Sequence, residues 1–398
     1  MEMNTIIEIY DKEPIFNVLS PSIMRPSRVI YLGARFITRK RQKEKLIRYF
    51  SLRSPDTYIY FYPVNLYNCE NVRNILREIL EHFPDAVIDI TGGSSTLVFA
   101  VGMFCAEYQI PVFAYNRRTN CFCNIFRCSE IEGIPCNPQF TVEQVLSMAG
   151  GMLLRHGHIS PNEVDEGLLQ NVDEVFSICH RNKTRWNGFV QYLQATTTGG
   201  SERPLLVRAP KTVLNASGKA LFCDMDMMRR LEKMGMIFDL QEDGRYIRYR
   251  FRSRLVRQCL NDIGIWLELY VYKSAVESGL FDDVQISAIV DWNGVADEKC
   301  NTINEIDVIL TYGITPVFIS CKSGTPTTTA LNELETLTRL FGGKYARGIL
   351  VTLSDAEDIS PAVSQRAADM GIRIIQHANF KDGGIVRCLL ETVIQEQD

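Results

Sequence analysis

The first third of the chain alternates short apolar runs with segments of helical length. The apolar runs are typical of buried strands and read IIEIY, RVIYLGA, TYIYFYPV, AVIDI and PVFAYN. Strands that alternate with helices build a parallel sheet with helices on both faces. The sequence therefore predicts an α/β fold that begins with a Rossmann-like three-layer domain over residues 1–136.

A glycine-containing turn follows the fourth of these strands and directly precedes a helix. In such sheets, ligands bind at the carboxyl ends of the strands. Glycines allow close backbone approach, and the helix start offers free N–H groups to an anion. A tight turn with a Ser or Thr cap is the alternative interpretation. The predicted anion-binding residues are Thr91, Gly92, Gly93, Ser94 and Ser95, with Lys12, Asn17 and Asn116 on the same rim.

Composition indicates an ordinary globular chain of more than one domain. Hydrophobic residues make up 46% and charged residues 23%, and the net charge is -4. A nucleic-acid surface would therefore be a local patch. The first residues lack the pattern of a secretion signal and LVFAVGMFCA is too short to span a bilayer, so we expect a cytoplasmic protein.

The twelve cysteines are expected to be reduced thiols. One cluster could in principle bind zinc, although it lacks C-x-x-C pairs. Its members are Cys121, Cys123, Cys128 and Cys136.

A middle part, residues 137–255, is predicted to be a linker module. Helical periodicity starts at Thr141, and the stretch GGMLLRHGH is expected to be irregular. Residues 224–254 are typical of a helix followed by a two-stranded wing with an Asp-Gly turn, as in winged-helix domains. Arginines at every second position suit phosphates, but they also protect an edge strand from aggregation. They are Arg248, Arg250, Arg252 and Arg254.

The last part, residues 256–398, carries charges on otherwise apolar strands. Its order of helix, three strands, helix and strand predicts a restriction-endonuclease-like domain. Glu305 and Asp307 share one face of a strand, and Ser320 and Lys322 share one face of the next. A salt bridge at the sheet edge is one interpretation. A metal-dependent phosphodiesterase is the other, because carboxylates hold a divalent ion while a lysine orients the attacking water.

Both ends of the chain also resemble a known family. WLELYVY, NEIDVIL and FISCKSG, within residues 261–376, resemble the nuclease half of the CARF-fused effectors of type III CRISPR systems, the Card/Can family. DITGGSS resembles the CARF sensor of the same proteins. The resemblance implies a prokaryotic homodimer that binds cyclic tetra-adenylate at residues 91–95 and then cuts single-stranded DNA or RNA, or nicks duplex DNA. It also implies Mn²⁺ or Mg²⁺ as cofactor and catalytic roles for Asp307 and Lys322.

One position departs from the PD-(D/E)XK pattern, which expects an acid two residues before the lysine. Ser320 stands there. We expect Glu305 to supply the missing carboxylate and Glu268, on the preceding helix, to be a further metal ligand. Asp291 is a candidate of lower rank.

Two other functions compete with this interpretation. The first is a ligand-gated regulator that binds nucleic acid through its wing and has a degenerate nuclease domain. The second is a metal-independent nuclease of the helical HEPN type, because Arg77 and His82 match its R-x4-6-H motif. Cleavage in EDTA would separate a metal-dependent enzyme from the HEPN type.

Overall fold

The N-terminal domain is a six-stranded sheet between two layers of helices. The computed structural model describes residues 3–197, 205–294 and 302–394. The strands are β1 Thr5–Ile9, β2 Arg28–Ala34, β3 Tyr58–Val64, β4 Val87–Asp89, β5 Val112–Asn116 and β6 Cys121–Phe126. The helices are α1 Leu19–Met24, α2 Lys40–Arg53, α3 Cys69–His82 and α4 Ser95–Tyr108.

The order of this sheet is β3-β2-β1-β4-β5-β6, with only the edge strand β6 antiparallel. Successive residues of β1 alternate between the two faces, so Ile6 enters one apolar cluster and Ile7 the other. The strand order reverses between β1 and β4, and the crevice at such a switch point is where open α/β sheets bind ligands. The predicted Rossmann-like domain is therefore confirmed.

The middle part contains α5 to α9 and β7 to β12. Thr141 caps α5 in a reciprocal bond with Gln144, as helical periodicity from Thr141 predicts. The elements are α5 Val142–Ala149, β7 Met152–His156, α6 Glu166–Arg181, α7 Lys183–Thr197, β8 Leu206–Pro210, β9 Thr212–Leu214, β10 Ala220–Phe222, α8 Met225–Lys233, β11 Ile237–Asp243, β12 Tyr246–Phe251 and α9 Arg254–Leu260.

The wing keeps the predicted alternation but has a third strand. Its sheet has the order β11-β12-β8. Ile247, Tyr249 and Phe251 of β12 are fully buried, as expected for one face of the strand. β12 ends at Phe251, and Ser253 caps α9 by accepting a hydrogen bond from Val256 N–H at 3.1 Å. The prediction that Arg254 continues the strand is therefore wrong, since a helix begins there.

The row of free guanidinium groups is also interrupted. Arg252 bonds to Asp165 at 2.7 Å, and Arg250 lies 3.4 Å from Asp239. Arg248 remains exposed on the outer face of β12 and is directly opposite Arg208 of β8. Arg208 itself lies 3.7 Å from Asp243, so acids partly neutralise the arginines of this surface.

The C-terminal domain is built on a second six-stranded sheet. Its elements are α10 Ile265–Ser278, β13 Asp283–Asp291, β14 Ile303–Tyr312, β15 Thr315–Lys322, α11 Thr328–Gly342, β16 Arg347–Thr352, α12 Pro361–Asp369, β17 Ile372–Ile375 and α13 Gly384–Ile394. The sheet order is β17-β16-β15-β14-β13-β7. The helix, the three-stranded meander and the crossover helix lie where the sequence predicts them.

Strand β7 corrects the prediction for the stretch GGMLLRHGH. This stretch is not irregular, because Met152–His156 forms an edge strand antiparallel to β13. The run MLLRH between glycines carries a strand signal, but its partner β13 lies more than a hundred residues further along the chain. A segment of the predicted linker module thus completes the C-terminal sheet. The bounds 1–136, 137–255 and 256–398 of the three parts remain predictions.

The N-terminal and C-terminal domains also touch each other directly. Arg48 of α2 donates to the carbonyl of Gly151 at 3.0 Å, next to the start of β7. Lys344 N–H, after α11, donates to the Glu13 carboxylate at 3.3 Å. Arg117 lies 4.7 Å from the centre of the Tyr345 ring. Among the described helices, none is long and apolar enough to cross a membrane.

Candidate functional site

Asp307 lies at the centre of the charged group in the C-terminal sheet. The register of β14 and β15 pairs Val308 with Ile319, so the next residues along, Asp307 and Ser320, are neighbours. Cys321 N–H donates to Asp307 Oδ2 at 2.6 Å, and the Ser320 hydroxyl donates to the same oxygen at 3.3 Å. Lys322 Nζ is 3.7 Å from Asp307 Oδ2. Two hydrogen bonds and a nearby ammonium group therefore fix one oxygen of Asp307.

Ser320 thus has a definite contact in this structure. It occupies the position of the missing acid and donates a hydrogen bond to the acid on the neighbouring strand. The hydroxyl cannot replace a carboxylate as an anionic ligand of a hard cation. Its observed contact is with Asp307, whose orientation it helps to fix.

Glu305 lies two residues before Asp307, on the same face of β14 and closer to solvent. One of its carboxylate oxygens, Oε1, accepts a hydrogen bond from the Ser287 hydroxyl on β13. The other, Oε2, is 3.9 Å from His158 Nε2. Glu305 is therefore held from the side of β13 and β7, whereas Asp307 is held from the side of β15.

Glu268 approaches the same charges from α10. Burial, with repulsion from Asp307, Asp262 and Glu305, raises the pKa of the Glu268 carboxyl well above its usual range. Burial also raises the pKa of Asp307, although Lys322 and the hydrogen bonds from Cys321 and Ser320 oppose the rise. The predicted carboxylates therefore interact strongly with one another, and their negative charge exceeds what Lys322 compensates.

This group of carboxylates fits a divalent cation in chemistry and charge. Carboxylate oxygens are the ligands that Mg²⁺ and Mn²⁺ prefer. A cation would favour the charged form of Glu268, whose pKa is raised by burial and, to a smaller extent, by repulsion from Asp307 and Glu305. Within the described ranges, no three His, Cys, Asp or Glu side chains stand close enough to hold an ion together. One ion could contact Glu305, Asp307 and Glu268 together only if these side chains moved closer to one another.

The predicted anion-binding turn lies at the switch point between β1 and β4. Gly93 N–H donates to Asp11 Oδ2 at 2.6 Å, and Glu13 N–H donates to Asp11 Oδ1 at 2.7 Å. Gly93 has a φ of +94°, and a β-carbon there would overlap the side chain of Ile9. Ser94 accepts a long bond from Leu97 N–H at 3.4 Å, so the Ser-cap interpretation also holds.

Asp11 is the residue that the sequence did not point to. Its carboxylate, from the loop after β1, occupies the position where an anion would meet the Gly93 N–H. Deeper below, the buried acids Glu8 and Asp89 are neighbours across β1 and β4. Burial raises the pKa of Asp89 to about 6 and that of Glu8 well above its usual range. Glu8 and Asp89 lie within apolar runs of the sequence, so the sequence alone did not predict that they are neighbours.

The rim residues differ in exposure. Lys12 and Asn116 are exposed, as are Ser94 and Ser95, whereas Thr91 accepts a bond from Tyr115 N–H at 2.8 Å. The prediction that Asn17 faces the rim is wrong, because it is buried. Its side chain accepts from Asp11 N–H at 2.8 Å and donates to Asp11 O at 3.0 Å. Asn17 therefore shapes the loop that presents Asp11.

The other candidate sites have structural contacts of their own. Cys121 and Cys123 donate to the carbonyls of Thr119 and Ala114, and the described cysteines are free thiols. A ring nitrogen of His82 is 2.8 Å from the carbonyl of Glu78 at the end of α3. Arg77 bonds to Asn74 and Tyr108 instead. Asp291 is fully buried at the end of β13.

Comparison with known proteins finds relatives of the C-terminal domain and of the whole fold. Residues 256–391 match the model of the family described as "Card1-like, endonuclease domain". The whole chain is similar in structure to protein VC1899 from Vibrio cholerae, at 17% identity and a TM-score of 0.76, over 99% of both chains. None of the curated proteins matches the chain by sequence.

Two further solved structures share the fold. Can2 from Sulfobacillus thermosulfidooxidans, solved in complex with cyclic tetra-adenylate, is 18% identical over 99% of this chain and 97% of its own, with a TM-score of 0.63. A type III CRISPR defence DNA nuclease activated by cyclic oligoadenylate is 13% identical over 92% of this chain and 51% of its own, with a TM-score of 0.50. The predicted resemblance is confirmed at the level of the fold: the chain shares its fold with Can2 and with the CRISPR defence nuclease, and its residues 256–391 match the Card1-like endonuclease domain.

Proposed function

We propose that this protein is a nuclease that cyclic tetra-adenylate activates and that cuts single-stranded DNA or RNA with a divalent metal ion, in type III CRISPR defence. The observation that carries the proposal is the placement of Glu305, Asp307 and Lys322 at adjoining strand ends of a Card1-like endonuclease domain. Glu268 adds a further carboxylate to the same group.

The carboxylates of this centre would hold the ion, and the lysine would act on the reacting groups. A bound Mn²⁺ or Mg²⁺ supplies charge that polarises the phosphate and makes a bound water more acidic. Asp307, fixed by Cys321 N–H and Ser320, offers its second oxygen to that ion. Lys322 is 41% exposed, so its ammonium can orient the water or neutralise charge that develops on the phosphate.

The turn at residues 91–95 would take a phosphate of the cyclic ligand. Can2, which shares the fold, was solved with cyclic tetra-adenylate. In this chain an incoming phosphate would compete with the Asp11 carboxylate for the Gly93 N–H, because both are anions. Lys12, which is exposed on the same loop, offers a compensating positive charge.

Displacement of Asp11 offers a direct route to the nuclease domain. The Asp11 carboxylate also accepts the Glu13 N–H, and the Glu13 carboxylate accepts Lys344 N–H from the segment after α11. A β-carbon at Gly343, which has a φ of +64°, would overlap the Glu13 carboxylate, so the two loops are tightly packed. Movement of the loop after β1 would therefore reach the start of β16, where Arg347 pairs with Val317 of β15, whereas Lys322 lies at the far end of β15.

A homodimer suits a two-fold symmetric ligand, because one turn can contact only part of the ring. Helix α4, which begins at the turn, is apolar on its outer face as well as its inner one. Phe99 is 66% exposed and Met103 is 50% exposed. We infer that these side chains pack against a second copy, which would place two turns side by side.

The wing would contribute nucleic-acid contacts. Arg208 and Arg248 form a like-charged cross-strand pair on its exposed face. Like charges directly opposite each other are unfavourable. Asp243, 3.7 Å from Arg208, offsets part of this repulsion, and a phosphate backbone would offset it further. The same surface would serve the alternative function, a ligand-gated regulator with a degenerate nuclease domain. Ser320 and the separation of the carboxylates favour that alternative.

A cleavage assay separates these functions. Fluorescent single-stranded DNA and RNA are incubated with the protein, with and without cyclic tetra-adenylate, in Mn²⁺ or in EDTA. The proposal expects cleavage only when ligand and metal are both present. Ligand-dependent binding without cleavage would support the regulator instead, and cleavage that persists in EDTA would contradict the metal-dependent mechanism.

A further inference from the structure

The nuclease centre is completed by a turn from outside the endonuclease domain. The family match begins at residue 256, whereas β7 and the following Gly157 and His158 lie about a hundred residues earlier in the chain. Pairing of β7 with β13 brings this turn beside Glu305. The turn therefore reaches a carboxylate that the proposed metal site depends on.

Ser287 of β13 joins the turn to Glu305. The Ser287 hydroxyl donates to Glu305 Oε1. The Ser287 hydroxyl oxygen in turn accepts a hydrogen bond from His158 N–H at 2.8 Å. The backbone carbonyl of Ser287 accepts a hydrogen bond from Gly157 N–H at 2.7 Å. Because the His158 N–H occupies one lone pair of the hydroxyl oxygen, the hydroxyl hydrogen is directed away from the turn and towards Glu305.

The backbone at Ser287 is strained, which sets it apart from its neighbours in the strand. Its φ is +52°, a conformation that non-glycine residues rarely adopt. Strain of this kind persists only where surrounding contacts hold it, and it concentrates at functional sites. Here the contacts that hold it are the two hydrogen bonds from Gly157 and His158.

Gly157 and His158 approach Glu305 from the other side. A β-carbon at residue 157 would overlap the Glu305 carboxylate and the Ser287 hydroxyl, so only glycine fits there. His158 Nε2 is 3.9 Å from Glu305 Oε2, and the imidazole is 60% exposed. The main contribution of His158 is thus its backbone N–H, since the ring lies beyond hydrogen-bond distance.

We propose that Ser287 is a positioning residue for Glu305 and that the turn Gly157–His158 fixes Ser287 in its strained conformation. This inference rests on the proposed function, in which Glu305 is a metal ligand. Ser287 holds one carboxylate oxygen, which leaves the other directed to the ion. The centre therefore depends on β7 remaining paired with β13.

A double-mutant cycle tests whether Ser287 acts through Glu305. The cleavage rate and the affinity for Mn²⁺, measured by calorimetry without substrate, are compared for Ser287→Ala, Glu305→Gln and the double variant. Ser287→Ala should weaken Mn²⁺ binding and lower the rate at limiting Mn²⁺ by about tenfold, the scale of one hydrogen bond to a charged group. The double variant should be no worse than Glu305→Gln alone. Excess Mn²⁺ should restore most of the rate of Ser287→Ala.

Matched variants distinguish positioning from a general loss of structure. Gly157→Ala should lower the rate at least as much as Ser287→Ala, because its methyl group displaces the Glu305 carboxylate. His158→Ala keeps the backbone N–H and should have a smaller effect. Ser364→Ala, on the exposed face of α12, should change neither quantity.

Effects of Ser287→Ala and Glu305→Gln that multiply in the double variant would overturn the proposal, as would unchanged Mn²⁺ affinity in Ser287→Ala. A full rate in Glu305→Gln would instead show that the proposed set of carboxylates is wrong. That outcome would contradict the proposed function and, with it, this inference. It is distinguished from the first two outcomes because it is seen in the Glu305→Gln variant alone.

Discussion

The anion-binding turn of the N-terminal domain and the charged centre of the C-terminal domain differ in how their charges are balanced. At the turn, Asp11 already satisfies the Gly93 N–H, so an internal carboxylate stands where a ligand phosphate is proposed to bind. At the centre, burial and then repulsion from Asp307, Asp262 and Glu305 raise the pKa of Glu268. The first region must exchange an internal partner for its ligand, whereas the second lacks enough positive charge.

Under the proposed function, this difference would keep the chain inactive until the ligand binds, without a separate inhibitor. A ligand phosphate that replaces Asp11 gains less than its full binding energy, because it breaks an existing charge-assisted bond. The part of the binding energy that is not observed as affinity can instead move the loop that holds Glu13 against Lys344. Among the described residues, the three carboxylates of the nuclease centre stand too far apart to share one ion, so this is the region that would rearrange if all three are ligands.

The largest effect is expected at the lysine of the nuclease centre. Lys322→Ala should lower ligand-activated cleavage at least about 100-fold, because it removes the ammonium that acts on the water or the phosphate. Cyclic tetra-adenylate binding and the melting temperature should stay close to those of the wild type. Lys40→Ala is a matched control, since Lys40 is 88% exposed on α2. Retained turnover in Lys322→Ala would remove this residue from the mechanism.

A second variant pair tests which residue takes the role of the missing acid. Glu305→Gln should lower the cleavage rate much more than Ser320→Ala, since only Glu305 offers a negative charge. Ser320→Ala should cost about tenfold or less, because Cys321 N–H continues to hold the same oxygen of Asp307 at 2.6 Å. Rates are measured at saturating Mn²⁺ and ligand. Small effects of similar size in both variants would mean that other carboxylates bind the ion.

The sensor side of the comparison is tested at the turn. Gly93→Val should shift the activation curve to a ligand concentration at least about tenfold higher, because its side chain overlaps Ile9 and blocks the approach of a phosphate. Cleavage at saturating ligand should largely recover, because the nuclease centre is unchanged. Gly188→Ala in α7 is the control, since a β-carbon there meets nothing within 4 Å. Activation of Gly93→Val at the wild-type concentration would contradict the placement of the ligand.

The smallest effect concerns the buried acids below the turn. The pKa of Asp89 is raised from 3.8 to about 6 by burial, so the folded state binds more protons than the unfolded state between these values. Stability is thus lost as the pH rises through the folded pKa, and unfolding should cost about 1 kcal/mol more at pH 5 than at pH 7.5. The melting temperature of Asp89→Asn should depend less on pH over this range. An identical pH dependence in wild type and variant would refute the raised pKa.

The repeating parts of the fold were predictable because their signals are local. Alternating strands and helices define the N-terminal sheet, and Glu305, Asp307 and Lys322 are visible because they interrupt apolar strands. The contacts that complete the sites were not predictable from local pattern. Asp11 reaches Gly93 across 82 residues, and His158 reaches Ser287 across 129 residues. Asn17 was assigned to the rim by its position after a strand, although its side chain turns inward to the loop.

Activation and ligand binding measured on the same preparation test the central claim most directly. Cyclic tetra-adenylate is titrated into the protein by calorimetry, and the rate of single-stranded DNA and RNA cleavage in Mn²⁺ is followed over the same concentrations. The account predicts one ring bound per two chains, with the cleavage rate rising in parallel with occupancy. A ring that does not bind, or that binds fully without raising the rate, would contradict it.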